Sequence, residues 1–93
     1  MWQVDVLSAA ALGNMAELRL VAEDAPERIN EATALYGGLT PLHWAANDNQ
    51  EAAVSFLLNA GANVNQTEKY GDTPLSYAKS ARVRQLLIDA GGR

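Results

Sequence analysis

The sequence predicts an all-α solenoid of three helix-turn-helix repeats with finger loops, and three observations lead there. Thr40-Pro41-Leu42-His43 returns 33 residues later as Thr73-Pro74-Leu75-Ser76, and a fixed period of that size marks a stacked array of similar units. Each copy carries start and stop signals for two short helices. At 93 residues the chain has room for one domain, and three units is about the smallest array expected to stand alone. The expected organisation is a single domain, 1–93, with repeats at about 3–35, 36–68 and 69–93.

Aligned on their threonines, the second and third copies also match at Gly38 and Gly71, Leu42 and Leu75, Trp44 and Tyr77, and Ala45 and Ala78. The register then slips by three residues, so that Phe56-Leu57-Leu58-Asn59-Ala60-Gly61 pairs with Leu86-Leu87-Ile88-Asp89-Ala90-Gly91. The third copy has therefore lost three positions between its halves. Upstream, Ala9-Ala10 and Gly13-Asn14 match Ala45-Ala46 and Asn49-Gln50, Leu18 matches Val54, and Ile29-Asn30 sits where Val64-Asn65 does later.

Within the middle copy, Thr40 is an N-cap whose hydroxyl can take a free amide, and Pro41 fills the first helical position, where a missing N–H costs nothing. Thr73 and Pro74 have the same expected roles. Leu42, Ala45 and Ala46 form a narrow apolar face that lets a neighbouring helix approach closely. Asn49 ends that helix, as one of the few non-glycine residues that tolerate the left-handed conformation, with Gly13 as its upstream counterpart. A second helix is predicted over residues 51–60, with Val54, Leu57 and Leu58 as its buried stripe and Gly61 as its left-handed stop. Residues 63–72 then return the chain as a finger.

With Gly38-x-Thr40-Pro41-Leu42-His43-x-Ala45-Ala46, Leu57-Leu58-x-x-Gly61-Ala62-x-Val64-Asn65 and Gly71-x-Thr73-Pro74-Leu75, the chain resembles the ankyrin-repeat family over nearly its whole length. The resemblance implies an ankyrin-type solenoid. Its structural motif residues would be Thr40, Pro41, Leu42, His43, Thr73, Pro74 and Leu75. Departures fall in the outer copies: the first has no Thr-Pro pair, begins with Val6-Leu7 and is about three residues longer, and the third has Ser76 in place of histidine. Terminal units of arrays are commonly atypical.

Net charge is −4 and unevenly spread. Residues 1–35 hold six acids and two bases, 36–68 three acids and no base, and 69–93 two acids and five bases. A nucleic-acid binder is expected to present a basic stripe, and a pI near 4.7 argues against one. Lys79, Arg82 and Arg84 read as a solvated face of the last helix, with contact to an acidic partner as the alternative. The apolar start lacks the basic flank of a secretory signal, no run approaches a membrane span, and a cytoplasmic location is the default expectation. The chain has no cysteine, so neither disulfides nor thiolate metal sites can reinforce it.

No catalytic constellation is evident, and the chain is expected to be no enzyme and to need no cofactor or metal. His43, the sole histidine, would need a nucleophile or carboxylate beside it to act as a base. Its place just inside a capped helix instead suggests hydrogen bonds to backbone near Thr40 or to the adjoining finger, as the resemblance also implies. Glu23, Asp24, Glu27 and Glu31 read as a solvated loop rather than a cation site, because Ala25-Pro26 interrupts them. Asn65-Gln66-Thr67 fits the glycosylation pattern, but Asn65 is also the asparagine that recurs after valine in this family. Trp44 and Tyr77 read as inter-repeat packing. Trp2 either folds over the first repeat or stands exposed.

Stacked repeats line up their first helices and fingers into one continuous surface, and the resemblance implies that partners bind there. The candidate partner-binding residues are Tyr36, Leu39, Asn47 and Asp48 in the middle copy and Lys69, Tyr70 and Asp72 in the third. The expected function is a non-catalytic protein-binding module, an adaptor or inhibitor using its concave face and finger loops. The alternative is a structural element that self-associates or extends a larger array. The partner is another protein rather than nucleic acid or membrane. A monomer is expected, with a dimer as the alternative.

Overall fold

The computed structural model describes residues 6–32 and 37–93. Among these, three helix pairs follow one another: α1 (Val6–Leu12) with α2 (Met15–Asp24), α3 (Pro41–Asn47) with α4 (Glu51–Asn59), and α5 (Pro74–Tyr77) with α6 (Ala81–Asp89). A 3-10 helix, Pro26–Asn30, follows α2. The inner helices α1, α3 and α5 stand side by side, and α2, α4 and α6 form a second layer behind them.

Small residues permit that close stacking. Ala9, Ala10, Ala45, Ala46 and Ala53 are fully buried between helices, and Leu18, Leu42, Val54, Leu57, Val83 and Leu87 fill the space between the layers. Each buried leucine contributes roughly 1.5–3 kcal/mol of apolar transfer. Leu58, expected in the buried stripe of α4, is only partly covered. It stands with Ser55 and Asn59 opposite Leu86 in a shallow groove between α4 and α6.

The predicted stops are present. Asn49 has φ 58° and Gly61 φ 97°, while Gly13 has φ 72°. A Cβ at Gly13 would also collide with the Gln50 side chain, whose amide donates to the Ala11 carbonyl at 3.1 Å and ties the second unit to the first.

Four expectations are corrected. Thr73 precedes α5 in extended backbone but its side chain does not cap that helix; the hydroxyl donates to the main-chain oxygen of Arg93 at 2.6 Å. The three missing residues come out of the inner helix, so α5 is a single turn of four residues. Lys79 accordingly lies between helices, and Ser80 leaves the inner layer to cap α6, accepting from the Val83 N–H at 3.1 Å. Most of the acidic stretch is helical rather than loop: Glu23 and Asp24 end α2 and Glu27 lies in the 3-10 helix, while Glu31 lies beyond it in extended backbone.

Two matching clasps link the segments that follow the second-layer helices. Asn30 donates from Nδ2 to the Gly61 carbonyl (3.2 Å) and accepts from the Asn63 N–H at Oδ1 (2.7 Å). Asn65 does the same with the Gly91 carbonyl (3.1 Å) and the Arg93 N–H (3.0 Å). Each amide offers a donor and an acceptor from one rigid plane, so it fixes both the spacing and the tilt of the next unit.

Candidate functional site

Thr40 and His43 open the inner face. The Thr40 N–H donates to His43 Nδ1 at 3.2 Å and the hydroxyl lies 2.8 Å from the same nitrogen, while the His43 N–H returns to Thr40 Oγ1 at 3.4 Å. The other ring nitrogen, Nε2, is 3.0 Å from the Asp72 carbonyl in the next finger. A carbonyl can only accept, so Nε2 carries the proton and Nδ1 is the acceptor. His43 is completely buried, and burial lowers its pKa from the ordinary 6.5 against the opposing pull of Asp72. A neutral ring with both nitrogens engaged is a joint between units.

The finger beyond is organised by Glu68, which the sequence analysis did not single out. Its carboxylate accepts from the Tyr70 N–H (2.8 Å), the Asp72 N–H (2.9 Å) and the Tyr77 hydroxyl (2.9 Å). Burial opposes its charge, but donation from Asp72, Tyr77 and Tyr70 outweighs this and holds the carboxyl below its ordinary 4.5. Burial, and then the bond to Glu68 and its charge, raise the Tyr77 phenol from 10 to about 12. The Tyr77 ring also meets His43 edge-on, with centroids 5.3 Å apart. Inter-repeat packing of Tyr77 is therefore observed, but it works through a polar hydroxyl as well as an apolar ring.

The candidate residues fall into two neighbouring groups. Leu39 and Asn47 join His43, Trp44 and Tyr77 around an open hollow of about 130 Å³ on the inner face. Asp48 is exposed beside it and accepts from Asn47 Nδ2 at 3.0 Å. Lys69, Tyr70 and Asp72 occupy the finger. Tyr70 is 75% exposed, and Lys69 Nζ stands 5.0 Å from its ring centroid. The Lys69 N–H donates to the Gly37 carbonyl at 2.8 Å, joining successive fingers. Tyr36 and Trp2 lie outside the described residues. Trp44, expected to be packing, is only half-buried and forms one wall of the hollow.

The profile of ankyrin repeats, in three copies, matches residues 6–92. The chain belongs to the ankyrin-repeat family. The ankyrin repeat domain of human ASB11 superimposes with a TM-score of 0.85 at 29% identity, covering 98% of this chain and 41% of that one. Human ankyrin repeat domain-containing protein 40 is 30% identical over 79 residues, 85% of this chain and 21% of that protein. Human mitochondrial disaggregase is 38% identical over 65 residues, 70% of this chain and 9% of that protein. The chain thus spans only 21% and 9% of these two relatives' length. Ankyrin repeats are generally non-catalytic protein–protein interaction modules. Among the described residues no helix is long and apolar enough to cross a membrane.

Proposed function

We propose that this ankyrin domain is a non-catalytic adaptor or inhibitor that occupies the surface of a partner protein with its concave face and fingers. Leu39, Asn47, Asp48, Lys69, Tyr70 and Asp72, with Tyr36, form the contact set. The observation that carries the reading is Tyr70, 75% exposed at a finger tip and backed by Lys69, beside a hollow walled by Trp44 and Tyr77. Tyrosine and tryptophan are enriched where interfaces concentrate their energy. A standard interface takes about 800 Å² per partner, roughly 15% of the 5208 Å² of surface here, so one partner would use most of the inner face.

The test is affinity capture from native lysate with Tyr36→Ala/Tyr70→Ala beside the unaltered protein. Lost capture with an unchanged circular dichroism spectrum supports the assignment; retained capture removes it. Exposed Leu12 (76%) and Leu20 (46%) on the first helix pair favour self-association as a second reading. Light scattering over a concentration series separates the two, since a stable dimer at micromolar concentration would promote the second.

A further inference from the structure

We infer that the hollow between Trp44 and Tyr77 is an anchor site for one aliphatic side chain of a partner segment, and that its acidic rim selects a segment carrying lysine or arginine next to that side chain. This rests on the partner-binding reading above and gives the partner a chemistry.

The hollow exists because α5 stops early. Asn47, the last residue of α3, aligns with Ser80, which has left the inner layer to cap α6. The final turn of α3 therefore has no matching turn beside it. The space of about 130 Å³ is comparable to the roughly 150 Å³ apolar cavity that accepts a benzene-sized guest, enough for a leucine or isoleucine side chain.

Several polar side-chain atoms around it already have partners. Both His43 nitrogens are held by Thr40 and Asp72, the Tyr77 hydroxyl by Glu68, and Asn47 Nδ2 by Asp48. Water inside would meet Leu39 and aromatic faces with little to bond to. Displacing such poorly held water with an apolar group favours binding.

Charge narrows the occupant further. Three carboxylates adjoin the lining: Asp48 bonds to Asn47, Glu68 bonds to Tyr77, and Asp72 belongs to the residue whose carbonyl holds His43. Against them stand Lys69, drawn over the Tyr70 ring, Lys79, two residues beyond Tyr77, and Arg84, whose guanidinium is engaged by the Leu75 and Ala78 carbonyls. The carboxylate charges that act on His43 and Tyr77 in the lining are those of Glu68 and Asp72, and residues 36–68 as a whole hold three acids and no base. A cation flanking the anchor is steered in and an anion is repelled.

The test is a nitrogen-15 NMR titration of the full chain with three capped pentapeptides: Gly-Lys-Leu-Lys-Gly, Gly-Glu-Leu-Glu-Gly and Gly-Lys-Ala-Lys-Gly. The first should move the amides of Leu39, Asn47 and Tyr77 and the Trp44 indole, at half-saturation about tenfold or more below the other two. Asn47→Leu, which fills the hollow from its rim, should abolish the response while the spectrum stays dispersed. Equal titration by the lysine- and glutamate-flanked peptides, or no movement of those four residues, overturns the inference. So does an unaltered response in Asn47→Leu. Shifts confined to residues 69–72 would overturn the hollow while leaving the finger surface standing, whereas retained capture by the tyrosine double variant strikes the broader reading.

Discussion

Replacing His43 with alanine is the sharpest probe of how the second and third units are joined. The substitution removes the partner of the Thr40 N–H and hydroxyl, both in a residue only 2% exposed, and the bond to the Asp72 carbonyl. Water can reach Asp72, which is exposed, so little is lost there. The buried Thr40 donors are different: an orphaned buried group costs about 1–3 kcal/mol, and the vacated imidazole volume adds a cavity term that scales with how poorly the site collapses. Together these give about 3 kcal/mol, a large part of the roughly 5–14 kcal/mol expected of a domain this size. The melting temperature should fall by about 12–24 °C. Urea denaturation followed by circular dichroism measures it, and a loss below about 1 kcal/mol would refute the joint. The same residue sets a pH dependence. Its folded pKa lies below the ordinary 6.5, so the unfolded chain binds more protons in that window and stability, full above 6.5, declines as pH falls toward the folded value. His43→Ala should flatten that decline. Glu68, lowered from 4.5, adds a second loss as pH falls through its own folded pKa.

Asn30→Ala and Asn65→Ala should each weaken the array by about 1–2 kcal/mol, two hydrogen bonds apiece at solvated sites; an unchanged urea midpoint in either variant would contradict the clasps. Tyr77→Phe should remove the phenol step at about pH 12 from the near-ultraviolet titration. In the unaltered protein the raised pKa means a stability contribution held below pH 10 and lost as pH climbs from 10 toward 12, and an unchanged titration in Tyr77→Phe would assign that step elsewhere.

The units were legible in the sequence because their signals are local. Thr40-Pro41, Asn49 and Gly61 each fix backbone through their own chemistry; Asn30 and Asn65 align in the sequence, but their shared role as clasps is seen only in the structure. What escaped depends on distance through space. The role of Glu68 needs the finger to curl so that two amides point inward, and needs Tyr77, nine residues on, to reach over it. Thr73 looks like Thr40 in the sequence, yet a main-chain oxygen 20 residues away claims its hydroxyl. The three-residue slip was visible, but only packing decides that α5 absorbs it, because Ser80 can cap α6 there. Of the candidate site, the finger residues followed from repeat register, whereas the hollow follows from the turn that α5 lacks.

The two asparagine clasps make this array extensible in a way its irregular spacing conceals. Residue 30 and residue 65 present the same planar amide to the same offset, a left-handed glycine carbonyl and the N–H two residues beyond it. A duplicate of residues 31–65 spliced in after Asn65 would find a waiting socket on either side, so that lengthening the molecule at this seam demands no new joinery.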